Sequence, residues 1–232
     1  MTESSVTAPI RVLLADDEPA IRAGVRLILR HAEGIVVVAE AANGAEALEL
    51  AALQPVDVAL VDIRMPVLDG LAAIGPLLRL DPRPAVVMLT TFGDEENVTR
   101  ALQAGAGGFL LKDDGPQELI SAVRAAASGD AVLSPGVTGM VVKRMLAGGL
   151  QGPPPADADR PPTARQRVEA LTGHEREALS LLGQGMPNLE LSLRLGLGPD
   201  AVKVLVSDLL EKTGTDTRVQ AALLAAEAGL VD

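Results

Sequence analysis

Short apolar runs, each closed by polar residues, alternate with helical spacing through the first half of the chain. Residues 10–15, 56–61, 85–89 and 108–111 are runs of Val, Leu, Ile, Ala and their like. Continuous apolar runs of this length predict strands buried on both faces of a parallel sheet. Between them, apolar residues recur at helical spacing and predict helices over 19–31, 44–53, 71–80, 94–104 and 116–127. Pro19 and Pro116 sit where a first-turn proline fits, Asp94 is placed to cap a helix, and Gly105 and Gly129 follow helix ends. Strand and helix patterns alternate five times. The expected fold is an α/β doubly wound, five-stranded parallel sheet.

The polar residues closing these runs carry the chemistry. The first run delivers Asp16 and Asp17, the second Asp62, the third Thr90 and the fourth Lys112. In a doubly wound sheet, functional groups collect at the carboxyl ends of the strands. Any one of these aspartates reads ordinarily as a strand exit or a helix cap. Three carboxylates, a hydroxyl and an ammonium meeting from four strand ends read otherwise. The carboxylates would repel one another unless a cation joined them, and Mg²⁺ suits such a set because it keeps waters for an incoming phosphate. Asp62 is the candidate nucleophile, able to form an aspartyl phosphate. Lys112 and Mg²⁺ would neutralise the transferring oxygens, and the Thr90 hydroxyl would bond one of them.

A further helix is expected over 135–146. Residues 148–162 follow, with Gly152-Pro153-Pro154-Pro155 and Pro161-Pro162. Proline withdraws donors and stiffens the backbone, so this segment reads as a tether. Beyond it the pattern is helical, over 173–184, 188–195, 199–212 and 217–227, and the Gly196-Leu197-Gly198 break is the turn of a helix-turn-helix. The expected organisation is a first domain over 9–128, a linker over 129–167 and a helix-turn-helix domain over 168–232.

Composition narrows the partners. The 232 residues include no cysteine, which excludes disulfides and thiol chemistry and fits a reducing compartment. No signal peptide or membrane-length apolar stretch is visible, so a cytoplasmic protein is expected, with no membrane partner. Net charge is −11, unusual for a nucleic-acid binder. Residues 171–232 hold nine Asp and Glu against five Lys and Arg. The two aromatics, Phe92 and Phe109, are too few for base stacking.

The motifs of the first half resemble the receiver domain of bacterial two-component response regulators. They are Asp16-Asp17, Asp62-Ile63-Arg64-Met65-Pro66 with Asp69-Gly70, Leu89-Thr90-Thr91 and Gly108-Phe109-Leu110-Leu111-Lys112. The resemblance implies Asp62 as phosphoacceptor, with Asp16, Asp17, Asp62 and the Arg64 carbonyl holding Mg²⁺. It implies Thr90 and Phe109 as a switch pair, Lys112 on the phosphoryl group, and a histidine kinase as partner. It also implies a regulator, not an enzyme, apart from self-catalysed phosphorylation and dephosphorylation. Residues from about 168 onward resemble the LuxR-type helix-turn-helix of the NarL subfamily through Leu171-Thr172, Glu175-Arg176-Glu177, Gly185, Asn188, Glu190-Leu191, Val202-Lys203, Val206 and Arg218-Val219-Gln220-Ala221.

That resemblance implies promoter binding by a phosphorylated homodimer, with the third of the four helices in the major groove. The candidate DNA contacts are Arg194, Lys203, Ser207, Lys212 and Arg218. The chain departs from the family pattern at Ala201, Leu205, Asp208, Glu211, Pro187 and Thr213. Asp208 and Glu211 place negative charge beside Lys203, where DNA affinity needs positive charge. Two readings stay open: a transcription factor with altered or weakened DNA affinity, and an interaction protein whose docking surface includes part of Leu205 and Leu209-Leu210, some of which must be core.

Overall fold

A computed structural model describes residues 8–91, 95–134, 137–138 and 163–231. Among these residues six strands form one parallel sheet: β1 (Ile10–Ala15), β2 (Ile35–Ala41), β3 (Val58–Asp62), β4 (Ala85–Thr90), β5 (Gly108–Leu111) and β6 (Val132–Leu133), in the order β2-β1-β3-β4-β5-β6. The sixth strand corrects the expectation of five. It is two residues long, too short for a periodic signal, and it pairs Val132 with Gly108 and Leu133 with Phe109.

Alternate residues of each strand serve two cores, as period two requires. Leu13, Ala15, Ala59, Val61, Val86 and Met88 join a core covered by α2 (Gly44–Leu53), α3 (Gly70–Leu78) and α4 (Glu95–Gln103). Val12, Leu14, Val58, Leu60, Val87 and Leu89 join the opposite core, under α1 (Pro19–Arg30) and α5 (Pro116–Ala127). Burial on both faces is why these strands lack polar alternation. Pro19 and Pro116 open their helices, and Gly105 and Gly129 carry the positive φ expected after helix ends. The predicted Asp94 cap and Phe92, the helix over 135–146 except 137–138, and the tether over 148–162 lie outside the described residues.

The β3–α3 loop contains an unfavourable residue. Val67 has φ 66° and is 87% exposed, and Leu68 N–H donates to Pro66 carbonyl across it at 2.7 Å. A β-branched side chain in left-handed backbone costs roughly 1–2 kcal/mol. The loop holds because Gly44 N–H donates to the Leu68 carbonyl at 2.9 Å. Val67→Asn, which tolerates this backbone and loses little burial, is expected to raise the unfolding free energy by about 1 kcal/mol. A higher urea midpoint at unchanged slope would register it.

The C-terminal helices are α6 (Ala164–Glu169), α7 (Gly173–Gly183), α8 (Asn188–Leu195), α9 (Pro199–Thr213) and α10 (Arg218–Glu227). They close over Leu179, Leu182, Leu191, Val202, Leu209 and Ala225. Helix α6 falls in what was expected to be linker. Its signal was present in Thr163 and Gln166, which form a reciprocal capping box, as Thr172 and Glu175 do at α7. Gly196 takes left-handed backbone between α8 and α9, which makes the predicted turn.

Candidate functional site

The strand order reverses direction at β1, whose neighbours are β2 and β3. The crevice beyond the carboxyl ends at such a reversal is where doubly wound sheets place their sites. Asp16 and Asp17 follow β1, Asp62 ends β3, Thr90 ends β4 and Lys112 follows β5. Register aligns the last two elements: Thr90 pairs with Leu111, and Lys112 N–H donates to the Thr90 carbonyl at 2.7 Å.

Ligand atoms of Asp16, Asp17 and Asp62 all lie within 4.8 Å of one another. Asp16 and Asp62 are buried and Asp17 is exposed. Lys112 Nζ stands 2.7 Å from Asp16 Oδ2 and 3.1 Å from Asp62 Oδ2. Asp16 Oδ1 accepts from Glu18 N–H at 2.9 Å, and Asp62 Oδ1 accepts from Ile63 N–H at 2.8 Å. Burial pushes the Asp62 carboxyl above the usual range, against the pull of Lys112. Burial also pushes the Lys112 ammonium down, but its bonds to Asp16 and Asp62 outweigh that and hold it above its ordinary value. One ammonium among three carboxylates leaves excess negative charge, and this donor set fits a hard divalent cation.

A cavity of about 260 Å³ opens onto these groups, lined by Asp17, Asp62, Arg64, Thr90, Asn97 and Lys112 among others. Its rim can admit an anion between the Lys112 ammonium and the Thr90 strand end. Phe109 is fully buried in the α2–α4 core. Asp16, Asp17, Asp62, Thr90 and Lys112 therefore gather at the carboxyl ends of the strands with Arg64 in the cavity lining, while Phe109 lies in the core.

The candidate DNA contacts divide. Arg194, Lys203 and Ser207 are exposed on α8 and α9. Lys212 is exposed but ion-paired with Glu175, and holds that carboxyl at about 2. Arg218 is buried instead of exposed, and burial pushes its guanidinium below the ordinary value. Its Nη1 donates to Asp130 Oδ1 at 2.8 Å and to Asn188 Oδ1 at 2.7 Å, so its charge is directed inward. The leucines expected on a docking surface also differ. Leu209 is fully buried, and Leu205 and Leu210 are half-buried. The large apolar residues exposed on α8 and α9 are Leu189, Leu193 and Val204.

These observations define a phosphoacceptor-type α/β domain joined to a helix-turn-helix, the class of signalling proteins called response regulators. Residues 12–124 match the response regulator receiver domain, and residues 169–225 match the bacterial regulatory proteins of the luxR family. The nitrate/nitrite response regulator protein NarL of Escherichia coli strain K12 is 38% identical over 215 residues, covering 93% of this chain and 94% of NarL. The transcriptional regulatory protein LiaR of Bacillus subtilis is 33% identical over 223 residues, covering 96% of this chain and all of LiaR. Among solved structures, the response regulator ChrA of a heme-sensing two-component system aligns over 97% of this chain and 100% of its own, with TM-score 0.52 and 33% identity. The chain belongs to the NarL/LuxR family of response regulators, with a receiver and a DNA-binding helix-turn-helix domain, and its relatives are transcriptional regulators.

Proposed function

We propose that a histidine kinase phosphorylates Asp62, and that the phosphorylated chain forms a homodimer that binds promoter DNA. The observation that carries this reading is the Lys112 ammonium bridging Asp16 and Asp62 at 2.7 and 3.1 Å. It marks where charge on an incoming phosphoryl group would be met. Asp62 attacks phosphorus and the donor's oxygen or nitrogen leaves with the bond electrons. Asp16, Asp17, Asp62 and the Arg64 carbonyl would hold Mg²⁺, which supplies charge neutralisation at the transferring oxygens. Thr90 and Phe109 serve as the switch pair. The receiver catalyses its own phosphorylation from small donors and its own dephosphorylation. Support for the dimer comes from RcsB of related fold, whose structure holds two dimers bound to two parallel DNAs. No described helix is long and apolar enough to cross a membrane, in line with a cytoplasmic regulator.

DNA contact falls to Arg194, Lys203 and Ser207, with Lys212 shared with Glu175. Among the described residues, Arg194 and Lys203 are the two exposed cations of the reading unit with no ion pair, and they predict a shallow salt dependence. The slope of log K against log salt is expected near −2 per helix-turn-helix, about −0.9 per phosphate contact. Lys203→Ala is expected to flatten it by about one. Fluorescence anisotropy of the full chain with promoter and random duplexes, from low to physiological salt, measures both. A second reading, docking to a protein in place of DNA, has one observation on its side. Leu189, Leu193 and Val204 are 71%, 78% and 60% exposed on the two helices that face DNA in the family. No duplex binding at low salt by the phosphorylated, folded chain would decide for it.

A further inference from the structure

A second, more open cavity of about 500 Å³ adjoins the acidic pocket, and Asp17, Arg64 and Asn97 line both. Its volume is in the range of sites that hold small organic ligands. One wall is the β3–α3 loop. Gly70 N–H on the Ile63 carbonyl and Gly44 N–H on the Leu68 carbonyl, each at 2.9 Å, hold that loop in place. The loop gives the cavity Met65 and Pro66, and the first turn of α3 gives Leu71. Helix α4 contributes Asn97 and Arg100, which stand one turn apart and share a face.

The two cavities differ in charge. In the acidic pocket the one ammonium, Lys112, is buried and committed to Asp16 and Asp62. In the second cavity Arg64 and Arg100 are both exposed, and neither enters an ion pair among the described residues. Asp69 lines it too, but its Oδ1 accepts from Ala72 N–H at 2.8 Å and caps α3. An anion approaching this acidic end of the sheet is repelled unless the two guanidinia meet it. A guanidinium presents paired donors that match a carboxylate. Beside these cations Met65, Pro66 and Leu71 offer apolar surface. A carboxylate carrying a short hydrocarbon chain matches both features.

We infer that the second cavity binds the acyl end of an acyl phosphate donor, with Arg100 and Arg64 on the departing carboxylate and Met65, Pro66 and Leu71 along its hydrocarbon chain. This assignment rests on the phosphoacceptor reading above. The phosphoryl group lies in the acidic pocket, and the rest of the donor passes Arg64 and Asn97, which belong to both cavities. An Asp62 carboxylate oxygen forms the new bond to phosphorus. The bond from phosphorus to the bridging oxygen breaks, its electron pair stays on that oxygen, and the carboxylate leaves without needing a proton. Negative charge grows on the bridging oxygen as the bond breaks, so a guanidinium placed there lowers the barrier more than it tightens binding. Phosphoramidate, whose leaving group is neutral ammonia, makes no such demand. Arg100 therefore sets the class of small donor, while Asp62 and Lys112 carry the transfer itself.

The test follows phosphoryl addition to the full chain by intact mass, with Mg²⁺ at low salt, from phosphoramidate, acetyl phosphate and butyryl phosphate. On the native chain butyryl phosphate is expected to react roughly threefold faster than acetyl phosphate, as its two added methylenes become partly covered. Arg100→Gln is expected to lower the ratio of either acyl phosphate rate to the phosphoramidate rate about fivefold. Arg100→Lys keeps the charge, loses the paired donors and is expected to fall between the two. Added salt is expected to lower the same ratio on the native chain and to change it little in Arg100→Gln. A ratio that Arg100→Gln leaves unchanged overturns the inference, and so does butyryl phosphate reacting more slowly than acetyl phosphate. Failure of the phosphoacceptor reading looks different: no donor adds a phosphoryl group, or phosphoramidate adds one equally to Asp62→Asn. Phosphoramidate addition that requires Asp62 keeps that reading, whatever Arg100→Gln does to the ratio.

Discussion

Asp62→Asn is expected to abolish uptake of a phosphoryl group from acetyl phosphate and binding of beryllofluoride, with the fold intact. The amide keeps the shape of the carboxylate and loses its nucleophilic charge, while Asp16, Thr90 and Lys112 keep their places. Intact mass after incubation with acetyl phosphate and Mg²⁺ reads the effect, as one added phosphoryl group on the native chain and none on the variant. Equal addition to both would move the acceptor elsewhere. The same substitution has a stability signature. Burial raises the Asp62 carboxyl above its unfolded value, so the folded chain holds this proton more tightly than the unfolded chain. Its contribution to stability is fully present below the unfolded carboxylate range and is lost as pH rises through the folded value. At neutral pH without divalent cation, the ionised Asp62 therefore destabilises the native chain, and Asp62→Asn is expected to melt higher. Mg²⁺ bound at the proposed site is expected to reverse the order, adding about 2.7 kcal/mol to the unfolding free energy at a hundred times its dissociation constant. Melting curves in chelator and in Mg²⁺ test both signs.

Gly70→Ala is expected to be the most damaging single methyl in the receiver. A Cβ at Gly70 would stand 1.9 Å from the Asp62 carbonyl oxygen and 2.9 Å from its carbonyl carbon. Neither is a flexible side-chain tip, so the start of α3 or the end of β3 must move. Gly70 N–H also donates to the Ile63 carbonyl at 2.9 Å, which ties the two segments together. The cost is on the order of 3 kcal/mol, at the high end for an added methylene because backbone must yield. Beryllofluoride affinity falls with it, since Asp62 sits on the segment displaced. The urea midpoint and a beryllofluoride titration measure the two effects. An unchanged midpoint with full affinity would mean that the α3 start is slack and plays no part in placing Asp62.

The receiver half was legible because two strong signals coincide there. Strands buried on both faces lose polar alternation and become apolar runs, and each run ends where its chain enters the crevice. Asp16, Asp17, Asp62, Thr90 and Lys112 could therefore be assigned to one site from position alone. Helix ends were legible where chemistry is specific, as at Pro19, Pro116, Gly105 and Gly196. The two-residue β6 was not, since it is shorter than any period. Helix α6 is six residues long and follows a proline-rich segment, and its sequence signal is confined to the Thr163 and Gln166 capping box.

The second half separates the two levels further. Arg218 and Lys203 are both single basic residues in an acidic segment, and spacing alone gave them the same role. Packing sends Lys203 to solvent and Arg218 into a buried contact with Asp130, 88 residues earlier in the chain. Likewise the sequence offers Leu205, Leu209 and Leu210 as part surface and part core, while the large apolar residues exposed on α8 and α9 are Leu189, Leu193 and Val204. Local periodicity and the residue types at strand ends determined the sheet, the acidic pocket and the helix-turn-helix, because those depend on neighbours in sequence. Where Arg218 finds its counter-charge, and that Val219 packs with receiver residues, were decided only by the tertiary structure, because each depends on surfaces far apart along the chain.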